Sequence, residues 1–325
     1  MSENKFIDRK RTGSLAPGFV LPPPFVADQG DPRNYVMDQG LEDAANTALD
    51  LGQPLLLTGE PGTGKTQFAA YLAAHLGLDK PFQFHTKSIS VATDLFYTYD
   101  TVRRFQAARS DKEVDEREFI RFNALGKAIL RSHPAADIGA VCLERDADLL
   151  DGPKRSVVLI DEIDKASRDF PNDLLNELSS MSFLIPELGR TVSGNPACRP
   201  IVVITSNQER PLPDAFLRRC VFYCIEPPDE ERLTQILALR FGLSDQAPPP
   251  LLRSATRYYF KARDGEHRAP SVAELVGWFH LLKKHGADLN GTVAAAVAQA
   301  ERGVAALAKT PPARRFLRDL MESAS

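Results

Sequence analysis

The sequence has no apolar run approaching the ~20 residues that a membrane-spanning helix needs. Its first eleven residues are polar and contain no signal-peptide core. We therefore expect a cytoplasmic protein that does not associate with a membrane.

Cysteine is also scarce. The four cysteines, Cys142, Cys198, Cys220 and Cys224, form no CxxC pair and have no histidine-rich stretch beside them. This spacing argues against a zinc site. Cys220 and Cys224 lie in an apolar, strand-like run, where we expect buried, reduced thiols.

The chain also has no excess of positive charge: its formal net charge is −3. The protein therefore has no general attraction to nucleic acid or to an anionic membrane, although a local basic patch is still compatible with this charge. At 325 residues, with 43% hydrophobic and 26% charged residues, the composition is that of an ordinary globular chain with room for two domains.

The sequence does contain a glycine-rich turn between an apolar strand and a helical pattern. The turn has the spacing GxxxxGK[ST] of a phosphate-binding P-loop, or Walker A motif. Glycines let the backbone curl so that N–H groups point at an anion, the lysine follows the β- and γ-phosphates, and the threonine hydroxyl binds Mg²⁺. The predicted nucleotide-binding residues are Gly59, Glu60, Pro61, Gly62, Thr63, Gly64, Lys65 and Thr66.

A second apolar run, from Ser156 to Ile160, ends in the adjacent carboxylates Asp161 and Glu162, which is the Walker B form. A strand of this kind delivers Asp161 to the carboxyl edge of a parallel sheet, where it reaches the Mg²⁺ shell. Glu162 is then placed to polarise an attacking water. A strand that ends in Asp-Glu is common by itself, so the assignment depends on the preceding P-loop.

A third apolar strand ends in polar residues at Asn207. Its amide is placed to hold the attacking water against the γ-phosphate. The alternative is that Asn207 only forms a turn, as asparagine does after many strands.

The order of these elements predicts an α/β fold: a P-loop parallel sheet with helices on both faces, followed by a smaller all-α domain. We expect an extended arm over residues 1–34, a nucleotide-binding core over 35–227 with an insertion around 100–151, and a helical lid over 228–325. Within the core, the pattern predicts a helix over Arg121–Arg131, a short strand over Ile138–Leu143, a helix over Pro171–Leu178 and a hairpin over 183–192.

These motifs, with Arg218 and Arg219 before the helical tail, resemble the AAA+ ATPases, and within them the MoxR-type, dynein-related branch. The resemblance implies ATP as substrate with Mg²⁺, and it makes Asn207 the sensor 1 residue. One of the two arginines, preferably Arg219, would reach a neighbouring subunit's γ-phosphate; the bland alternative is that both form surface ion pairs.

The resemblance also implies a homo-oligomeric ring, usually a hexamer, acting on a protein client, for which a von Willebrand A-type protein is one expectation. It assigns the sensor 2 role to Arg268, which lies slightly upstream of the usual position. Two other functions stay open: a nucleic-acid-stimulated NTPase motor or loader of a restriction or defence system, and a scaffold that binds nucleotide with little turnover.

Overall fold

The computed structural model describes residues 31–107, 114–263 and 269–322. Most of the predicted N-terminal arm and the predicted sensor 2 residue, Arg268, lie outside these ranges. The strands are β1 (Leu55–Thr58), β2 (Phe82–His85), β3 (Tyr97–Tyr99), β4 (Ile120–Phe122), β5 (Val157–Asp161), β6 (Ser182–Ile185), β7 (Arg190–Ser193), β8 (Ile201–Thr205) and β9 (Val221–Cys224).

Helices lie around these strands and follow them. Those of the first part are α1 (Gln39–Leu51), α2 (Lys65–His75), α3 (Thr101–Ala107), α4 (Ala124–Arg131), α5 (Ala135–Ile138), α6 (Phe170–Asp173), α7 (Leu175–Ser180) and α8 (Asp214–Leu217). Those that follow β9 are α9 (Glu230–Arg240), α10 (Pro250–Arg263), α11 (Val272–Lys284), α12 (Val297–Leu307) and α13 (Pro311–Glu322). Among the described helices, none combines the length and the hydropathy required to cross a membrane.

Five strands form one parallel sheet in the order β2-β5-β8-β1-β9. Both β1 and β5 are buried along their whole length, which explains why their sequences are apolar throughout rather than alternating. On β1, Leu55 and Leu57 pack with α1 and α2 on one face, whereas Leu56 packs with α4 and α6 on the other. This arrangement confirms the predicted parallel sheet with helices on both faces.

Two small antiparallel pairs accompany the sheet. The hairpin β6–β7 was expected, and Phe183 pairs with Val192 within it. The pair β3–β4 was not expected, since the predicted helix over Arg121–Arg131 is wrong at its start. Arg121 lies in β4 and the helix begins only at Ala124, because the chain first pairs with β3, burying alternate residues around an exposed Arg121.

Two further expectations in this region are corrected. Ile138–Leu143 is not a strand: α5 ends at Ile138, and the N–H groups of Val141 and Cys142 donate to the Ile138 carbonyl in a turn. The run is too short and too uniformly apolar for periodicity to separate the two forms. The predicted helix over 171–178 is interrupted at Leu174, which lies between α6 and α7.

The helices that follow β9 enclose a hydrophobic core of their own. Trp278 and Phe279 of α11 are fully buried there, with Tyr259 of α10 and Leu237 of α9 packed against them. The helix α11 begins with a capping box in which Ser271 and Glu274 exchange hydrogen bonds. This cap fixes where α11 starts, next to the P-loop.

Candidate active site

The P-loop joins the carboxyl end of β1 to the first residue of α2. Gly59, Gly62 and Gly64 all have positive φ angles, of 135°, 86° and 92°. A Cβ at Gly59 would lie only 2.5 Å from the carbonyl oxygen of Ile225, so this position excludes any side chain. The close approach of the Ile225 carbonyl therefore requires glycine at the first position of the motif.

Lys65 is the first residue of α2, and its ammonium is held inside the loop. The side chain is 6% exposed, and Nζ donates to the carbonyl oxygens of Gly59 and Glu60 at 2.7 and 2.9 Å. Burial lowers the pKa of Lys65, and the nearby carboxylates of Asp161 and Asp164 oppose this shift. The loop thus holds the Lys65 side chain through two of its own carbonyl oxygens.

Hydroxyl and carboxylate oxygens meet at the second residue of α2. Thr66 Oγ1 donates to Asp161 Oδ1 at 3.0 Å, and Thr205 Oγ1 donates to the same oxygen at 2.6 Å. His85, at the end of β2, has Nδ1 3.3 Å from Asp161 Oδ2. Oxygen donors of this kind are the ligands that Mg²⁺ prefers, so the residues present fit the ion that the motif implies.

Glu162 follows β5 in the left-handed conformation, with φ 56°. Its backbone N–H donates to Thr205 Oγ1 at 2.9 Å. Asn207 Nδ2 donates to Oε1 at 3.1 Å, and Lys165 Nζ donates to Oε2 at 2.5 Å. The structure thus brings Glu162 and Asn207 together across two strand ends.

A third carboxylate, Asp164, lies behind this pair and is only 3% exposed. Its Oδ1 accepts the backbone N–H of Asn207 at 3.3 Å, and its Oδ2 accepts that of Glu209 at 2.9 Å. The sequence interpretation assigned no role to Asp164 or to Thr205. Nothing in a polar strand end distinguishes them from turn residues, because their partners lie more than 40 positions away.

A cavity of about 530 Å³ opens above the P-loop. This volume is typical of sites for small organic ligands. Asp161 and Glu162 line it together with the P-loop, and its wall continues through Tyr35 and Val36 to α9 and α11. On the α9 and α11 side, Leu233, Ile236 and Val276 offer an apolar surface beside the phosphate-binding loop.

An arginine of the helical region reaches the P-loop, and the sequence did not single it out. Arg263 Nη2 bonds to Glu60 Oε2 at 2.9 Å, while its Nη1 donates to the Tyr259 hydroxyl at 3.0 Å. Glu60 and Arg263 are 203 positions apart, so only the fold joins them. Arg268, the residue selected from the sequence, lies outside the described residues.

Arg218 and Arg219 lie away from the cavity. Both are exposed, and Arg219 Nη1 donates to the carbonyl oxygen of Ala215 at 3.1 Å. They precede β9, whose first residue, Val221, pairs with Leu55 at the start of β1. The P-loop follows the other end of β1, three residue steps or about 10 Å further along the sheet. The two arginines therefore lie at the amino end of the parallel strands, whereas their own P-loop lies at the carboxyl end.

A known family matches more than half of the chain. The family model described as AAA domain (dynein-related subfamily) matches residues 54–220, just over half of the 325-residue chain. The matched range contains the P-loop, the Asp161-Glu162 pair, Asn207 and both arginines. No curated protein matches the chain.

Proposed function

Because the chain belongs to the dynein-related AAA subfamily, a group of nucleotide-dependent ATPases, we propose that it hydrolyses ATP with Mg²⁺ and uses the energy to remodel a partner protein. The observation that supports this proposal is that P-loop residues, Asp161 and Glu162 line one cavity, and that the Asn207 amide donates to Glu162. The P-loop residue Thr66 lies within hydrogen-bonding distance of Asp161, and Asn207 lies within that distance of Glu162.

In this proposal the P-loop N–H groups and Lys65 bind the β- and γ-phosphates. Thr66 and Asp161 would hold Mg²⁺, which would neutralise negative charge on the phosphates. Glu162 accepts a proton from the attacking water, and the Asn207 amide keeps the carboxylate and that water aligned.

Arg219 completes the proposed reaction from a neighbouring copy of the chain. Its position supports this assignment, since it precedes β9 at the amino end of the strands, whereas its own P-loop lies about 10 Å away at their carboxyl end. A guanidinium is permanently charged and planar, which suits the charge that develops on a transferring phosphoryl group. AAA domains commonly oligomerise, and the resemblance to this family implies a ring, usually of six subunits.

The partner is proposed to be a protein, as in MoxR-type ATPases. The features that support this branch are the β6–β7 hairpin before β8 and the long segment between β2 and β5. A von Willebrand A-type protein is the client that we would examine first. Copurification with a variant that binds ATP without hydrolysing it would identify the client.

The experiment that tests the enzymatic core is Glu162→Gln. The amide cannot accept the proton, so we expect ATP binding to persist while phosphate release falls by at least a hundred-fold. Glu144→Gln, at an exposed position away from the cavity-lining residues, is the matched control and should retain wild-type turnover. Wild-type hydrolysis by Glu162→Gln would refute the assignment of the base.

A further inference from the structure

Asp164 is the third carboxylate of the Asp161–Lys165 turn, and it does not face the cavity. Asp161 and Glu162 line the cavity, but Asp164 does not, and its side chain is 3% exposed. A carboxylate buried in this way loses its hydration, and this loss is tolerable only if other groups supply hydrogen bonds. The hydrogen-bond partners of Asp164 therefore indicate its role.

Backbone N–H groups of the loop after β8 supply these bonds. Asn207 N donates to one carboxylate oxygen at 3.3 Å and Glu209 N donates to the other at 2.9 Å. Gln208, between them, has a φ of 58°, and this left-handed residue turns both neighbouring N–H groups toward the same side. Hydrogen bonds to a charged acceptor are about twice as strong as neutral ones, so the carboxylate holds this loop firmly.

The same turn that carries Asp164 also carries Glu162, whose Oε1 lies 3.1 Å from the Asn207 side-chain amide. The loop and the turn are thus joined twice, once through the backbone by Asp164 and once through the side chain by Asn207. The first contact sets the position of the Asn207 backbone, and this position sets where its amide points.

We propose that Asp164 is a positioning residue for ATP hydrolysis: it fixes the Asn207 loop so that the Asn207 amide stays on Glu162. This inference rests on the proposed function and extends it to a residue that touches neither substrate nor metal. It separates two tasks within one turn, since Glu162 performs the chemistry and Asp164 holds the residue that aligns it.

The test is Asp164→Asn, which keeps the shape but has one acceptor oxygen and one amide donor. The amide then faces a backbone N–H, so one loop contact is lost. We expect kcat to fall at least ten-fold, with KM for ATP and the affinity for a non-hydrolysable ATP analogue within two-fold of wild type. Asp146→Asn is the matched control, because Asp146 likewise accepts a backbone N–H, from Leu143 at 3.0 Å, outside the cavity lining.

The double variant Asp164→Asn/Asn207→Ala distinguishes positioning from general damage. If Asp164 acts through Asn207, the double variant should be no slower than Asn207→Ala alone. Losses that multiply, or wild-type kcat in Asp164→Asn, would overturn the inference while leaving the proposed function intact. Wild-type kcat in Asn207→Ala would instead refute the role of Asn207 in the proposed function, and the inference with it.

A measurement on the wild-type chain covers the case in which Asp164→Asn does not fold. Amide hydrogen exchange should show the Asn207 and Glu209 N–H groups to be protected although they lie in a loop. The control is the Gln208 N–H, which donates to the Ser206 hydroxyl rather than to Asp164. Exchange of Asn207 and Glu209 at the rate of an open loop would overturn the inference.

Discussion

Thr205→Val should destabilise the core more than its small chemical change suggests. The Thr205 side chain is 1% exposed; its hydroxyl donates to Asp161 Oδ1 at 2.6 Å and accepts the Glu162 N–H at 2.9 Å. Valine has the same β-branched shape as threonine, so the substitution removes the hydroxyl and changes the packing little.

The size of the effect follows from these two bonds. A hydrogen bond to a charged group contributes about 1.5–3 kcal/mol, and a buried N–H left without a partner costs about 1–3 kcal/mol. Since the two contributions share one site and are not fully additive, we expect the free energy of unfolding to fall by about 3 kcal/mol. Urea denaturation followed by far-UV circular dichroism, without nucleotide, measures this change.

Thr58→Val is the matched control in the neighbouring strand β1. Thr58 is 2% exposed, and among the described residues its hydroxyl has no hydrogen-bond partner. Removing that hydroxyl should leave stability unchanged or raise it slightly. A loss below about 1 kcal/mol in Thr205→Val, or an equal loss in both variants, would refute the reasoning.

Two further predictions concern groups outside the β5–β8 strand ends. Arg219→Ala and Lys65→Ala should each be inactive alone but regain hydrolysis when mixed, because the first variant keeps the P-loop lysine and the second keeps the arginine. Arg218→Ala is the neighbouring control. Full activity of Arg219→Ala alone would exclude a site shared between subunits. Arg263→Ala should raise KM for ATP by up to about five-fold with kcat unchanged, since a partly exposed ion pair contributes at most about 1 kcal/mol. Arg257→Ala, on the same helix but away from the P-loop, should leave both parameters unchanged. An equal effect of the two variants would contradict a role of the Arg263–Glu60 ion pair in nucleotide binding.

The sheet and the P-loop could be predicted because their sequence signals are local. Uniformly apolar runs such as residues 55–57 and 157–160 indicate strands covered on both faces, and Gly59 satisfies a backbone requirement that any side chain would violate. The three-residue strands β3 and β4 gave no such signal, since a segment of that length fits several patterns equally well.

The supporting residues of the site were not predictable for a different reason. Asp164, Thr205 and Arg263 each act through a partner that the fold brings close from 43 or more positions away. Their residue types are common at strand ends and helix ends, so the sequence does not distinguish them from solvated neighbours. Conversely, Arg268 was selected only because it is the arginine available near the position that the family resemblance assigns to sensor 2.

Arg219 lies at the amino end of the parallel strands and the P-loop lies at their carboxyl end, and this placement restricts how copies of this chain can associate. If Arg219 serves the P-loop of a neighbour, as proposed, a head-to-tail contact would place the Arg219 end of one subunit against the P-loop end of the next. An open row of subunits joined in this way has one unpaired P-loop end and one unpaired Arg219 end. Turnover per subunit should therefore rise when the row closes into a ring and no end is left unpaired.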